Sequence, residues 1–309
     1  MASRYHEVYE AWKRDPDAFW AEAAEAIDWY RPFDKVFDPQ DGVYGRWFPG
    51  AACNTCHNAV DRHVTGGRAD QLALVHDSAF TGKVTRLTFT ELQRQVVALA
   101  SALRNQGVGK GDRVIIYMPM VPEAAVAMLA CARLGAVHSV VFGGFAAREL
   151  ATRIDDAQPK LIVSASCGLE PGRTVAYKPL LDTAIELARH KPEHCLILQR
   201  EELRCELLPG RDIDYADAVA RERAAGAWID CVRVAATDPL YVLYTSGTTG
   251  QPKGVVRDNG GHMVMLEWSM ENEFGVKPGE VFWAASDVGW VVGHSYIVYA
   301  PLLHGCTTV

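Results

Sequence analysis

The feature that most constrains the fold is a regular alternation of short apolar runs and helical patterns, which begins near residue 71. The apolar runs are rich in Val and Ile and contain few polar positions, which is typical of strands covered on both faces of a sheet. The helical patterns between them fit right-handed crossovers between parallel strands. The sequence therefore predicts an α/β protein with mostly parallel sheets flanked by helices.

The same periodicities place the individual elements. Strands are predicted at residues 113–118, 136–142, 160–165, 195–199 and 240–244, and another is predicted to begin at Thr307. Helices are predicted at residues 5–26, 122–134, 146–157, 178–190, 214–224 and 292–303. Asp15 followed by Pro16 has the pattern of a helix cap with proline at the first helical position.

Residues 28–66 follow no steady period and are rich in Trp, Tyr, Phe, Pro and Gly. They are predicted to form an irregular segment that packs over a domain surface through its aromatic side chains. We expect an N-terminal extension at 1–66, a first α/β subdomain at 67–235 and the start of a second at 236–309. The alternation of strands and helices is interrupted at the end of the chain, which predicts that the chain is a fragment lacking a C-terminal domain.

Charge and hydropathy argue against two classes of partner. The formal net charge of −7 gives no support for binding nucleic acid or an anionic membrane surface. No stretch reaches the roughly 18 uncharged apolar residues of a membrane span. The N-terminus has no secretory-signal pattern, so we expect a cytoplasmic protein with reduced cysteines and leave its oligomeric state open.

The most informative segment is YTSGTTGQPKG at residues 244–254, directly after a predicted strand. Its glycines let backbone N–H groups turn toward an anion, its hydroxyls donate further hydrogen bonds, and its lysine adds a positive charge. This combination suits a polyphosphate. It is not a Walker A loop, because Pro252 stands where the second glycine of that pattern would fall. The alternative is a flexible surface loop.

This segment resembles the phosphate loop of the adenylate-forming superfamily, which includes acyl-CoA synthetases, peptide-synthetase adenylation domains and luciferases. The resemblance implies that the loop binds the β- and γ-phosphates of ATP. The residues expected to contact ATP are Thr245, Ser246, Gly247, Thr248, Thr249, Gly250 and Lys253. Lys253 would neutralise phosphate charge, while the main catalytic lysine of such enzymes would lie outside this chain.

Other segments resemble the short-chain acyl-CoA synthetases in particular. They lie at residues 47–50, 54–63, 141–145 and 286–296. Residues 176–182 and 256–262 resemble the propionyl-CoA synthetase branch. Val291-Val292 stands where acetyl-type sequences have Val-Thr, which makes the pocket wall more apolar. The resemblance thus implies a ligase that favours propionate, with an acetate–CoA ligase as the alternative.

The same resemblance assigns two further groups of site residues. Trp290, Val291 and Val292 are expected to line the acyl pocket. Phe142, Gly143, Gly144 and Arg173 are expected to contact coenzyme A. Glu170 departs from the pattern, because acetyl-type enzymes have a second arginine there, and a carboxylate would repel a phosphate. From residue type alone, Trp290 would be a core tryptophan and Arg173 a solvated surface arginine.

The implied reaction has two half-reactions. A carboxylate attacks the α-phosphorus of MgATP to form an acyl-adenylate and pyrophosphate, and the thiol of coenzyme A then displaces AMP. The resemblance places the adenine-binding segments, a Thr-Glu pair near Mg²⁺ and a mobile C-terminal domain beyond Val309. We therefore predict that these 309 residues alone do not catalyse the overall reaction.

Several other interpretations remain open. Residues 53–57, CNTCH, match the pattern of covalent haem attachment, although that chemistry requires export, and a zinc site could be built from Cys53, Cys56, His57 and His63. A non-catalytic nucleotide-binding module and a P-loop phosphotransferase are further alternatives. No metal ligand is assigned. His262 and His294 are given no catalytic role, since the default for each is a hydrogen-bonded structural histidine. Asp287 could coordinate a metal ion, but its place beside Gly289-Trp290 suits a turn equally well.

Overall fold

The structure is a computed structural model that describes residues 4–245 and 252–309. The helices are α1 (Tyr5–Arg14), α2 (Pro16–Ala23), α3 (Phe89–Asn105), α4 (Pro122–Leu134), α5 (Ala147–Ala157), α6 (Tyr177–Leu187), α7 (Tyr215–Ala224), α8 (Gly260–Asn272), α9 (Val291–Gly293) and α10 (Ala300–Leu303). A 3₁₀ turn follows α2 at Ala24–Ala26. Turns of π-helix lie at His57–Asp61, Val64–Arg68 and His294–Tyr299.

The strands are β1 (Phe37–Asp38), β2 (Arg46–Trp47), β3 (Ala52–Cys53), β4 (Leu72–Asp77), β5 (Val84–Thr88), β6 (Arg113–Tyr117), β7 (Val137–Val140), β8 (Leu161–Ala165), β9 (Cys167–Glu170), β10 (Arg173–Ala176), β11 (His194–Leu198), β12 (Asp212–Asp214), β13 (Val234–Ala235), β14 (Pro239–Thr245), β15 (Lys253–Asp258), β16 (Val281–Phe282) and β17 (Thr307–Thr308). Each predicted strand and helix is present, with bounds that differ from the prediction by a few residues at most.

The main sheet has seven strands in the order β12-β11-β8-β6-β7-β14-β15. All neighbouring strands in it are parallel except β14 and β15, which form an antiparallel pair. The fold is therefore the predicted α/β class with a mostly parallel sheet. Strands from both sides of residue 235 belong to this one sheet, and the division into subdomains at that residue remains a prediction.

Alternating residues of the central strand β6 enter two separate cores. Val114 and Ile116 pack in the larger core with α3 and α4, while Ile115 and Tyr117 pack in a second core with α5 and α6. All four side chains are fully buried. Successive strand residues point to opposite faces, so a strand with helices on both sides must be apolar at every position. This explains the continuous apolar runs in the sequence.

A second sheet has the order β16-β17-β4-β5. The predicted strand at Thr307 is confirmed as β17, which lies between β16 and β4 and is parallel to both. The β4–β5 hairpin leads into α3. Thr88 caps that helix by accepting a hydrogen bond from the Glu91 backbone, and the Glu91 carboxylate accepts one from the Thr88 backbone. Strands β4 and β5 and helix α3 were not identified individually from the sequence.

The N-terminal residues contact the main body through aromatic rings, and the contact with α8 comes from Trp20, which precedes the predicted aromatic segment. Asp15 divides the helical segment in two, and its carboxylate accepts a hydrogen bond of 2.9 Å from the Ala18 backbone at the start of α2. The rings of Trp20 on α2 and Trp268 on α8 lie 5.8 Å apart. Strand β3 pairs with β13 beside the main sheet. Of the helices in the described ranges, none has both the length and the apolar character needed to cross a membrane.

Candidate functional site

The predicted phosphate loop joins the two antiparallel strands at one edge of the main sheet. Thr245, the last residue of β14, pairs with Lys253, the first residue of β15. Both are exposed. The other predicted ATP contacts in the loop lie outside the described residues: Ser246, Gly247, Thr248, Thr249 and Gly250. Strand β14 is parallel to β7, so the loop leaves the sheet at the carboxyl end of the parallel strands, where open α/β sheets bind ligands.

The base of this hairpin is attached to helix α5. The Tyr244 hydroxyl donates a 2.5 Å hydrogen bond to the Asp156 carboxylate. Burial and the neighbouring Asp156 carboxylate both raise the pKa of Tyr244, so the phenol keeps its proton and remains a donor. The guanidinium of Arg153 lies 5.7 Å from the Tyr244 ring and 4.5 Å from the Phe145 ring. These contacts place the start of the loop close to the segment that includes Phe145.

The predicted acyl-pocket residues form a half-exposed apolar group. Trp290, Val291 and Val292 are 47%, 46% and 47% exposed. The Trp290 ring packs on Phe142 at 5.5 Å between centroids and lies 6.3 Å from Phe145. The structure thus brings Trp290 next to Phe142, which the sequence assigned to coenzyme A binding. Trp290 is half-exposed and does not lie in the core, where its residue type alone would have placed it.

The turn containing Gly143 and Gly144 is fixed by two stacked tyrosines. The Tyr117 hydroxyl donates a 3.1 Å hydrogen bond to the Phe145 carbonyl, and its ring stacks on Tyr177 at 4.9 Å. A Cβ atom on Gly143 would lie 1.9 Å from the Tyr177 hydroxyl oxygen, so the backbone passes the phenol too closely for a side chain. Gly143 is buried, whereas Gly144 is exposed. Only Gly144 therefore has a surface that a ligand can reach without rearrangement.

The predicted coenzyme A arginine is paired with the residue that departs from the family pattern. Arg173 and Glu170 face each other across the β9–β10 hairpin. The Glu170 carboxylate accepts hydrogen bonds from the Arg173 Nε at 2.7 Å and its Nη2 at 2.5 Å. Arg173 keeps 70% of its side chain exposed. Glu170 thus neutralises the arginine expected to bind phosphate. Tyr177 links this hairpin to Gly143, since it also contacts Gly168 of β9.

Comparison with known proteins bears on what these groups do. A family model described as "AMP-binding enzyme" matches residues 61–309, and one described as "Acetyl-coenzyme A synthetase N-terminus" matches residues 5–59. The chain belongs to the AMP-binding enzyme family. This confirms the relationship inferred from the loop at residues 244–254.

Individual members of the AMP-binding family are closely similar over nearly the whole chain. The chain is 50% identical over 308 residues to Acyl-CoA synthetase short-chain family member 3, mitochondrial, of Homo sapiens, covering 99% of this chain and 44% of the relative. It is 48% identical over 305 residues to Propionate--CoA ligase of Escherichia coli, covering 99% of this chain and 48% of the relative. An uncharacterized protein of Pseudomonas aeruginosa is 55% identical over 296 residues, covering 96% of this chain and 46% of the relative. The chain spans about half the length of these relatives.

The burial of the cysteines and the family match also bear on the haem and zinc alternatives. Cys53 and Cys56 are both fully buried, so neither thiol is accessible to a haem. The region around the CNTCH pattern, residues 53–57, falls within the acetyl-coenzyme A synthetase N-terminus match. Within the described residues, no group of three or more His, Cys, Asp and Glu side chains is placed to hold a metal ion. Asp287 accepts a 2.7 Å hydrogen bond from the Gly289 backbone, and burial raises its pKa.

Sequence reasoning missed a buried cluster of three histidines and two tyrosines behind the site. His138 Nε2 lies 2.6 Å from the Tyr299 hydroxyl, and His262 Nε2 lies 3.4 Å from the Tyr241 hydroxyl. The His294 ring packs 4.7 Å from Tyr241 and 5.6 Å from His138. Burial lowers the pKa of all three histidines, to about 3 for His262 and about 4 for His294, so they are neutral at physiological pH. No local pattern signals this cluster, because its members come from distant segments.

Proposed function

We propose that the protein containing this chain is an AMP-forming ligase that joins a short-chain carboxylate, with propionate favoured, to coenzyme A at the expense of ATP. The observation that carries the proposal is the position of strands β14 and β15, which flank the candidate phosphate loop. The ring of Tyr241 on β14 packs on that of His294, four residues after Trp290. The strands that flank the loop therefore pack in the same region as the residues proposed for the acyl pocket.

In the first half-reaction the carboxylate oxygen attacks the α-phosphorus of ATP, and pyrophosphate leaves. The nucleophile is already an anion, so no strong base is needed, and catalysis consists of alignment and neutralisation of phosphate charge. We assign Lys253 and the loop residues to that neutralisation. Mg²⁺ would supply further positive charge with the nucleotide, but no described side chain is assigned to hold it, since no suitable cluster exists in the described ranges.

In the second half-reaction the thiol of coenzyme A attacks the acyl carbon, forming the thioester and releasing AMP. We assign the exposed surface around Phe142 and Gly144 to the approach of the thiol arm, because this surface adjoins Trp290. The Glu170 carboxylate binds Nε and Nη2 of Arg173 and offsets part of the positive charge that a phosphate of coenzyme A would meet. We therefore expect weaker coenzyme A binding than an unpaired arginine would allow.

Propionate is favoured over acetate for two reasons. The relative in Escherichia coli at 48% identity is named a propionate–CoA ligase. Val292 offers a methyl group where acetyl-type sequences have a hydroxyl, so the exposed wall formed with Trp290 and Val291 is apolar. One methylene in such a pocket contributes about 1–3 kcal/mol to discrimination, so we expect propionate to be preferred by roughly one to two orders of magnitude.

The experiment that tests the proposal is product analysis with the native gene product. Supplied with propionate, MgATP and coenzyme A, it should form propionyl-CoA, AMP and pyrophosphate in equal amounts, and Lys253→Met should reduce kcat/KM by at least tenfold. The 309-residue chain alone should show no carboxylate-dependent turnover of ATP. Release of ADP, or no product from any short acid, would contradict the proposal. ATP binding without any turnover by the native gene product would favour a non-catalytic nucleotide-binding protein.

We also propose a cytoplasmic location. The printed name of the human relative includes the word mitochondrial, so the two compartments must be compared directly. Fractionation of source cells, followed by immunoblotting against this chain, separates the two results. A signal confined to an organelle fraction would contradict the proposal.

A further inference from the structure

The carbonyl oxygen of Trp290 is held by two donors from one residue. The backbone N–H of His294 donates to it at 3.0 Å, and the Nδ1 atom of His294 lies 3.1 Å from it. A carbonyl oxygen can only accept, so Nδ1 must carry the imidazole proton. Nε2 is then the bare nitrogen. It is buried and has no hydrogen-bond partner among the residues that the structure describes.

The His294 ring is fixed in this orientation by its neighbours. It packs between the rings of Tyr241, at 4.7 Å, and His138, at 5.6 Å, and the residue is fully buried. Burial lowers the pKa of His294 to about 4, so the ring is neutral at physiological pH. A buried nitrogen without a partner is destabilising, and a phenylalanine would fill the same space without one. What the histidine offers beyond a phenylalanine is therefore the bond from Nδ1 to Trp290.

Besides this bond, the backbone N–H of Trp290 donates to the Asp287 carbonyl at 3.0 Å. Its ring rests on Phe142 and Phe145, but 47% of the residue is exposed, so burial fixes its position only in part. The backbone on its other side is tightly constrained. A Cβ atom on Gly293 would lie 1.8 Å from the Asp287 carbonyl oxygen. The His294 bond thus ties Trp290 to a rigid, buried layer of the protein.

We propose that His294 is a positioning residue that holds Trp290 against the acyl group and thereby limits the chain length of the carboxylate that the site accepts. This inference rests on the proposed function. The substrate class is a straight-chain carboxylate of two to four carbons. Loss of the Nδ1 bond leaves the Trp290 carbonyl with only the backbone N–H of His294 as its donor, so Trp290 is held less tightly and longer acids gain relative to propionate.

The test is the ratio of kcat/KM for propionate to that for butyrate, measured on the native gene product. His294→Phe keeps an aromatic ring and removes the donor, and the ratio should fall about fivefold, the equivalent of one neutral hydrogen bond. His294→Asn places its amide nitrogen where Nδ1 lies, and should stay within about twofold of the wild type. His262→Phe is the matched control, since His262 is equally buried in the same cluster but makes no bond to Trp290. It should leave the ratio unchanged.

A second pair keeps the test decisive if the phenylalanine variant does not fold. His294→Leu and His294→Asn have nearly the same size and differ in the donor, so the ratio should fall in the leucine variant alone. An unchanged ratio in both donor-less variants overturns the inference, as does an equal fall in His262→Phe. A purely structural role would lower stability in these variants without changing the ratio. A wild type that uses no short acid refutes the proposed function itself, which separates the two failures.

Discussion

Arg133 on helix α4 provides the strongest test of how the N-terminal residues are joined to the main body. Its side chain is fully buried, and Nη1 donates to both oxygens of the Asp61 carboxylate at 2.9 Å. Nε donates to the Ile229 carbonyl at 2.7 Å. Asp61 is itself only 14% exposed, so the ion pair is largely shielded from solvent. The contact connects segments that are far apart in the sequence.

Replacement of Arg133 by Met removes the guanidinium and leaves the Asp61 carboxylate nearly buried without its partner. Breaking a buried pair from one side costs about 3–5 kcal/mol, and we expect the free energy of unfolding to fall by that amount. Arg133→Lys keeps the charge but cannot reach Asp61 and Ile229 together, because an ammonium lacks the planar fork. We expect it to cost about 1–3 kcal/mol, one lost bond to a charged group.

The assay is urea unfolding of the 309-residue chain, followed by circular dichroism. Arg94→Met is the matched control, because Arg94 is exposed on helix α3, and its cost should stay within about 0.5 kcal/mol. Asp61→Asn combined with Arg133→Met should be less destabilising than the sum of the single changes, because the charge left behind is then gone. A cost below about 1 kcal/mol for Arg133→Met would refute the reasoning.

Three further predictions follow from the site and its surroundings. Glu170→Ala releases Arg173 and removes a negative charge, so the KM for coenzyme A should fall about two- to fivefold while the KM for ATP is unchanged; a rise in the KM for coenzyme A would contradict this. His262 and His294 are neutral in the folded protein, whereas in the unfolded chain they bind protons below a pKa near 6.5. The stability that the two histidines contribute is therefore fully present above that pH and is lost as the pH falls toward 4 and then 3. Each contributes up to about 1.4 kcal/mol per pH unit, and the slope measured by urea unfolding between pH 6.5 and 4 should be shallower in His262→Phe than in the wild type. Gly293→Ala places a methyl group against a backbone carbonyl and should cost about 3 kcal/mol by the same unfolding assay; a cost near zero would show that the loop can move.

The parts of the fold that the sequence predicts well are those governed by local periodicity. Helix α4 was predicted at residues 122–134 and is found at Pro122–Leu134. Strands β6, β8 and β11 were each placed within one residue or so. Helix α4 and these three strands are almost completely buried. Because nearly every position must then be apolar, each leaves a continuous apolar run in the sequence. Local sequence was sufficient here because local burial decides the structure.

Two of the elements that were missed, β5 and the β9–β10 hairpin, carry a weaker local signal. Strand β5 is mostly half-exposed or exposed, and the β9–β10 hairpin is exposed at its tip, so neither contains a long apolar run. Both depend on pairing with a neighbour, β4 for β5 and β9 for β10. Edge and hairpin strands are set by partners and turns more than by their own periodicity.

The candidate site divides in the same way. The loop at residues 244–254 and the segment at 286–296 were found because their residue types are contiguous in the sequence. From the sequence, Glu170 was expected only to repel a phosphate, and its pairing with Arg173 is seen in the structure. The bond from His294 to Trp290 involves neighbours in sequence, but its importance depends on burial by distant strands. Sequence alone offers no measure of that burial.

The most direct test of the central claim is carboxylate-dependent exchange of labelled pyrophosphate into ATP by the native gene product. This exchange isolates the first half-reaction, because it needs an acyl-adenylate and no coenzyme A. The account predicts rapid exchange with propionate, slower exchange with acetate and butyrate, and loss of exchange in Lys253→Met. Exchange that does not depend on any short-chain carboxylate, or no exchange in a folded protein that binds ATP, would contradict it.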